Sequence, residues 1–252
     1  MAEEQWFPAE TCPFAANDAV QVWRISLELN ENQLNRARAV LATDEKKRAD
    51  RFYFEKDKNH FIAARAQLRF ILGKYLGYAP AALQFEYNPQ GKPHLAGPLR
   101  GQLFFNLSHS HKMGLIALHS QFEVGIDIEW MRREVSGIKI AERFFSPYEL
   151  NQLKALDKQD QMKGFFNCWT RKEAYIKARG KGLSIPLNQF DVSLNPEEPA
   201  RILAIRHDPK ALNEWTLHSL DPGENYAAAV VAHSEFWKMV CWDGLNSDFL
   251  LT

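Results

Sequence analysis

Cysteine is scarce in this sequence: 3 in 252 residues, at Cys12, Cys168 and Cys241. An odd, widely spaced set supports neither a disulfide framework nor a zinc knuckle, and it fits a reducing cytosol. Net charge is missing too, with 31 Lys+Arg against 31 Asp+Glu. That removes the basic excess expected of a general nucleic-acid binder, while leaving room for local basic patches. No apolar run approaches the ~18 residues of a membrane span, so no membrane partner is expected. The opening Met1-Ala2-Glu3-Glu4-Gln5-Trp6 is acidic where a secretory signal would be basic and then apolar. With 46% hydrophobic and 25% charged residues, the composition is globular, which excludes a disordered, collagenous or coiled-coil chain. At roughly 150 residues per domain, the length allows one large domain or two small ones.

What is present reads as one architecture met twice. Residues 1–19 form an irregular arm. Val20–Leu27 alternates as a strand, and Thr43-Asp44 caps a helix running through Arg48 and Phe52. A long helix is expected from Lys58 to Leu76, ended by Gly77 and Pro80. Further strands are expected at Leu83–Tyr87, Leu103–Leu107 and Gly114–His119, with a turn at Asn88–Pro93. Phe122–Trp130 opens a second half with helices at Tyr148–Leu156 and Met162–Ala178. Gln189-Phe190-Asp191-Val192 then echoes Gln84-Phe85-Glu86-Tyr87, and Ala228–Ser234 echoes Leu115–Ser120, at a spacing of about 105–115 residues. The expectation is α+β: two similar lobes, 20–121 and 122–236, each a helix on a mostly antiparallel sheet, with a tail at 237–252. Clefts between lobes favour ligands.

Four stretches carry chemistry-bearing residues. In Val124-Gly125-Ile126-Asp127-Ile128-Glu129-Trp130, strand periodicity puts Asp127 and Glu129 on one face. They are either an acidic pair on a solvated face or ligands for a hard cation such as Mg²⁺ or Mn²⁺. In Phe165–Lys177, helical spacing aligns Phe166, Trp169, Glu173 and Ile176, with Lys177 one turn beyond Glu173. Glu173 is either the partner of Lys177 in a helix ion pair or a third acid for a metal, beside a lysine for anionic oxygen. Arg65 shares a stripe with Phe61, Leu68 and Leu72, and is either an arginine snorkelling at the stripe's edge or a buried guanidinium that needs an anion. The run Phe104-Phe105-Asn106-Leu107-Ser108-His109-Ser110-His111-Lys112 leads a strand into a loop of hydroxyl, imidazole and ammonium donors, a polar turn or a phosphate site. Gly180-Lys181-Gly182 is most simply a helix C-cap and turn.

Taken in order, Phe105–Ser110, Gly125–Glu129 and Trp169–Lys177 resemble the three signature motifs of the 4′-phosphopantetheinyl transferases of the Sfp type. Gly91-Lys92-Pro93, Arg143-Phe144-Phe145-Ser146 and Gly180-Lys181-Gly182-Leu183 also resemble family positions. The resemblance spans roughly Val20 to His233. It implies a pseudo-dimer of two α+β lobes with the active site between them. It implies transfer of the 4′-phosphopantetheine arm of coenzyme A to a serine of an apo acyl or peptidyl carrier protein, releasing adenosine 3′,5′-bisphosphate. By that likeness Asp127, Glu129 and Glu173 ligate Mg²⁺, or Mn²⁺, on the pyrophosphate. His109 holds the 3′-phosphate with Ser108, Lys92 and Arg65 nearby and Arg48 in reach. Because a serine hydroxyl needs a base and Glu173 and Lys177 are i,i+4 neighbours, Glu173 is also expected to take the serine proton and Lys177 to neutralise phosphate oxygens. The duplication within one chain leads to the expectation of a monomer, the cysteines to a cytoplasmic one, and fatty-acid, polyketide and peptide-synthetase carriers all fit. Two rivals are a non-catalytic module binding coenzyme A or a carrier protein, and a metal-dependent nucleotide phosphohydrolase.

Overall fold

The computed structural model describes residues 5–15, 18–132, 136–246, 248 and 251. In chain order the elements are β1 (Trp6–Pro8), β2 (Ala19–Ser26), α1 (Glu31–Val40), α2 (Thr43–Ala49), α3 (Glu55–Leu76), β3 (Phe85–Tyr87), β4 (Pro93–Leu95), β5 (Phe104–Ser110) and β6 (Met113–His119). They continue with β7 (Val124–Trp130), α4 (Gly137–Phe144), α5 (Pro147–Ala155), α6 (Gln161–Arg179), β8 (Phe190–Val192), β9 (Ile202–Ile205), β10 (Thr216–Leu220), β11 (Tyr226–Ala232) and β12 (Lys238–Gly244). Chain contacts divide these into two compact α+β units. One comprises Gln5–Glu86, Pro93–Gln121 and Lys238–Thr252; the other is built from Tyr87–Lys92 and Phe122–Trp237.

The first unit is built on a sheet of order β1-β12-β2-β6-β5. The strands β2, β6 and β5 are antiparallel, while β12 runs parallel to both β2 and β1. Its core sets Trp23, Ile25, Phe105, Ile116 and Leu118 of the sheet against Leu68, Ile71 and Leu72 of α3. Helix α3 stops at Gly77, whose left-handed φ of 68° lets the chain turn without a Cβ clash. The second unit has a sheet of order β10-β11-β7, antiparallel throughout. Ala227, Ala229 and Val231 of β11 pack with Ala174, Tyr175 and Ala178 of α6 in its core. Helix α6 stops at Gly180, again left-handed at φ 62°. The run strand, helix, helix, long helix, two short strands, two long strands thus occurs twice. The sheet orders β2-β6-β5 and β7-β11-β10 match as well.

Several local expectations need correction. The arm expected to be irregular contains β1, and the tail supplies β12, a strand inserted between β1 and β2. A parallel partner more than two hundred residues away leaves no local signal. The helix expected to run from Thr43 through Phe52 ends at Ala49. It is capped not by Thr43 but by the Glu45 carboxylate, which accepts from the Ala42 amide at 2.9 Å. Helices α1 and α4 are additions to the expected elements. Among the described residues, no helix is long and apolar enough to cross a membrane.

Candidate active site

The second unit gathers the acidic residues. Strand β7 presents Gly125, Asp127 and Glu129 on one face, since side chains alternate along a strand. A Cβ built on Gly125 would lie 2.2 Å from the carbonyl oxygen of Ala174 and 2.2 Å from the amide of Ala178. The α6 backbone therefore rests directly on β7 at this glycine, and the Asp127 face is the one turned to α6. Asp127 is buried and Glu129 half-buried. The opposite face, Val124, Ile126 and Ile128, is also buried, so the solvated-strand reading does not hold for this segment.

Helix α6 answers with Glu173 and Lys177. Lys177 Nζ lies 2.5 Å from Asp127 Oδ1. Burial pushes the Glu173 carboxyl above its ordinary range, and the charges of Asp127 and Glu129 add to this against the opposing pull of Lys177. The direct ion pair of Lys177 thus crosses from α6 to β7. The expected stripe is not uniformly buried. Along it Trp169, Glu173 and Lys177 are half-exposed, while Phe166 and Ile176 are buried. The reason is that α6 is packed on nearly every face, so its apolar residues do not mark a single side. Arg171 and Lys172, which look like surface charges in the sequence, are buried. Arg171 donates to the carbonyl and hydroxyl of Ser193 and to the hydroxyl of Ser219.

The donors at Asp127, Glu129 and Glu173 are all oxygen, and they repel one another. That is the chemistry a hard divalent cation satisfies. Among the described residues no three His, Cys, Asp or Glu side chains are drawn together as a finished metal centre. The cation on Asp127 in this arrangement is the Lys177 ammonium. The donor set fits Mg²⁺ in kind, with Glu173 and Glu129 left to close in.

Lys92 belongs to the same unit. Its ammonium donates to Glu123 at 2.6 Å and to the carbonyls of Val124 and Ala178. It pins the start of β7 to the last turn of α6, where unsatisfied carbonyls favour a cation. Asn88 does the same for Gly180, donating to its carbonyl at 2.6 Å.

The remaining candidates stand in the first unit. A cavity of about 380 Å³ is lined by Phe52, Lys56, Asp57, His60, Phe61, His109, Ser110 and His111. His109 is exposed at the end of β5, and His111 takes a left-handed φ of 54° in the turn to β6. Ser108, one residue before His109, is buried. Arg48 lies over the Phe61 ring at 5.4 Å, at the cavity's edge. Burial and the neighbouring Lys56 lower the His60 pKa. Arg65 is buried, and the anion it needs is within the protein: its Nε donates to Glu45 Oε1 at 2.6 Å. Sequence reasoning misses His60 and Lys56, whereas His111 stands in the donor loop Phe104–Lys112 that it singles out. The helical spacing of Lys56 and His60, one turn apart and beside Phe61, is the signal that could have found both.

Two family models match the chain. The 4′-phosphopantetheinyl transferase superfamily matches residues 123–231, and the 4′-phosphopantetheinyl transferase N-terminal family matches residues 27–121. The 4′-phosphopantetheinyl transferase HetI of Nostoc sp. is 37% identical over 243 residues, covering 96% of this chain and 99% of its own. The chain belongs to the 4′-phosphopantetheinyl transferase superfamily. The transferase Sfp of Bacillus subtilis is 31% identical, over 82% of this chain and 89% of its own. The holo-[acyl-carrier-protein] synthase of Thermotoga maritima aligns over 45% of this chain and 64% of its own, at 21% identity and a TM-score of 0.36, a likeness too partial to bear on the site. The protein is accordingly an enzyme of phosphopantetheine transfer. Asp127, Glu129, Glu173 and Lys177 stand within the matched superfamily segment, and His109 within the N-terminal one.

Proposed function

We propose that this transferase moves the 4′-phosphopantetheine of coenzyme A to a carrier-protein serine through Asp127, Glu129, Glu173 and Lys177, with the 3′-phosphate held by the histidine cavity. The observation that carries this is the juxtaposition across β7 and α6: Lys177 on Asp127 at 2.5 Å, with Glu173 raised by burial and by both neighbouring acids.

Asp127, Glu129 and Glu173 would hold Mg²⁺, which supplies charge neutralisation of the pyrophosphate. Lys177 is the mobile cation of the site. Released from Asp127, its ammonium reaches phosphate oxygens and stabilises their charge in the transition state. A serine hydroxyl is a poor nucleophile at neutral pH without a base. Glu173, half-exposed and with a raised proton affinity, takes that proton directly or through a water. The serine oxygen then attacks the pantetheine-side phosphorus, and adenosine 3′,5′-bisphosphate leaves. His109, His60, His111 and Lys56 offer donors to the 3′-phosphate, with Arg48 at the rim. Arg65 and Lys92 support the framework, because their charges are already met by Glu45 and Glu123. The three cysteines are buried and none is in a disulfide, which suits a reducing cytoplasm, where we place the reaction. One chain holds the whole motif set, so we take the active form to be a monomer.

The test is intact-mass analysis of apo acyl, polyketide and peptidyl carriers after incubation with coenzyme A and Mg²⁺. A carrier gaining one phosphopantetheine arm supports the reading. Coenzyme A bound without transfer to any carrier leaves a binding module, and hydrolysis without a carrier leaves a phosphohydrolase.

A further inference from the structure

Each of the two units contains its own copy of one kind of buried cross-link. In the first, Glu45 stands in the opening turn of α2 and accepts from Ala42 N and from Arg69 Nε at 2.7 Å. Arg69 then donates through Nη1 to the carbonyls of Pro80 and Leu83, just before β3. In the second, Glu149 stands in the opening turn of α5. It accepts from Ser146 N, from Val192 N at 2.8 Å and from Lys172 Nζ at 2.7 Å. Lys172 also donates to the carbonyls of Leu187 and Phe190, at the entry to β8. Arg69 lies eight residues before the terminal Gly77, and Lys172 eight residues before the terminal Gly180. The same device therefore ties a capping carboxylate, a long helix and the next strand in both units.

The two copies differ at the residue after the cation. Arg69 is succeeded by Phe70, which is buried. Lys172 is succeeded by Glu173. Lys172 and Glu149 are both 0% exposed, the Lys172 ammonium has three oxygen partners, and it sits 4.2 Å from the centroid of Phe190. A buried ion pair is weak evidence for stability, since well-packed apolar residues often serve as well; its best-attested use is to fix register. An α6 packed on apolar side chains alone could turn about its axis at little cost. A carboxylate about 6 Å from the axis moves about 1.5 Å for a turn of about 15°, given the ~2.3 Å radius of the helix backbone. A catalytic constellation tolerates roughly 0.5 Å.

We propose that Lys172 and Glu149 are positioning residues: their buried pair sets the rotation of α6 that aims Glu173 and Lys177 at Asp127. Gly125 sets how near α6 lies to β7, and Lys172 sets which face it turns. The inference rests on the reading of Asp127, Glu129 and Glu173 as the metal ligands.

The test is the near-isosteric, charge-free double variant Glu149→Gln/Lys172→Met in the full chain. Mn²⁺ binding is measured by electron paramagnetic resonance, beside thermal unfolding and transfer kinetics. The expected result is a folded protein whose Mn²⁺ Kd is weakened at least fivefold. Its kcat falls at least tenfold, and its KM for coenzyme A stays within twofold. The matching variant Glu45→Gln/Arg69→Met removes the copy whose cation is followed by Phe70 rather than a glutamate, and should leave Mn²⁺ affinity unchanged. If the double variant fails to fold, Glu149→Gln alone keeps an oxygen for Val192 N and the two carbonyls for Lys172, and the same split is expected of it. Wild-type Mn²⁺ affinity and kcat in a folded variant overturn the proposal. Absence of Mn²⁺ binding in the unaltered enzyme overturns the ligand reading on which it rests, and is a separate outcome.

Discussion

Gly125→Ala is the most searching substitution the second unit offers. A single methyl would have to occupy space 2.2 Å from Ala174 O, 2.2 Å from Ala178 N and 2.7 Å from Ala178 Cα. All three are main-chain atoms of α6, so no rotamer change relieves the clash. Restoring ordinary contact near 3.4 Å requires β7 and α6 to part by about 1 Å in an interior packed as densely as a crystal. Overpacking typically costs about 1–3 kcal/mol, and the rigid neighbours place this case near the upper end. The same displacement lengthens the Lys177–Asp127 bond and the bonds of Lys92 to Val124 O and Ala178 O, now 3.2 and 3.3 Å. A misplacement of that size in a reacting constellation can cost roughly 10²-fold in rate. The assay pairs urea unfolding with transfer kinetics. The midpoint should fall with the slope unchanged, and kcat should drop about a hundredfold. KM for coenzyme A should shift less, because the histidine cavity is lined wholly by the other unit. A variant within about 0.5 kcal/mol of wild type, a margin typical of neutral surface changes, and within twofold in kcat would refute the reasoning.

Three further outcomes are expected of the same geometry. Asp127→Ala should abolish transfer at limiting Mg²⁺ while leaving unfolding by circular dichroism intact, because it removes one of three repelling acids. His109→Ala should weaken coenzyme A by about 10–100-fold, the equivalent of one charge-assisted hydrogen bond at roughly 1.5–3 kcal/mol, yet leave 3′-dephospho-coenzyme A unaffected in calorimetry. In the metal-free protein the Glu173 carboxyl is raised, so folding stability should decline as pH climbs from the unfolded carboxylate pKa through the folded one. Glu173→Gln should flatten that decline in urea titrations and lower kcat by about 10²–10⁴, the usual loss for a general base.

The legible parts of the fold are those with a local signal. The long helices α3 and α6 declare their ends through Gly77 and Gly180, β6 and β11 show apolar runs, and β7 shows strand alternation. Helix α1 hides because it buries only Ala37, although its capping box of Asn30 and Gln33 is a start signal. Strand β12 hides because its partners are β1 and β2. At the site, Asp127, Glu129, Glu173 and Lys177 are legible by type and spacing. The fates of Arg65 and Lys92 are not, because a sequence shows a cation without showing the carboxylate that already holds it. Lys172 is the sharpest case, since beside Arg171 and Glu173 it looks like one of three surface charges. Its burial is tied to Glu149, twenty-three residues earlier, which no helical spacing connects to it.

The duplication separates what the framework needs from what the chemistry adds. Counting back from the terminal glycines, Phe70 occupies in α3 the place that Glu173 occupies in α6, and Lys74 the place of Lys177. The framework is content with a buried phenylalanine there. A glutamate in that place is held against its own preference, its carboxyl raised by burial and by Asp127 and Glu129. The second unit therefore gives up stability at Glu173 that the first does not, a concession common where function demands a strained charge. It can do so because the helix is fixed elsewhere. Lys172 and Arg171 are tied to neighbouring segments, and Gly125 lets the backbone of β7 close on the helix. With rotation and distance both set by buried groups, Glu173 and Lys177 contribute little to holding α6 and remain free to exchange partners. A site built this way tolerates loss of its acids without unfolding, and is sensitive to any change in the anchors that aim them.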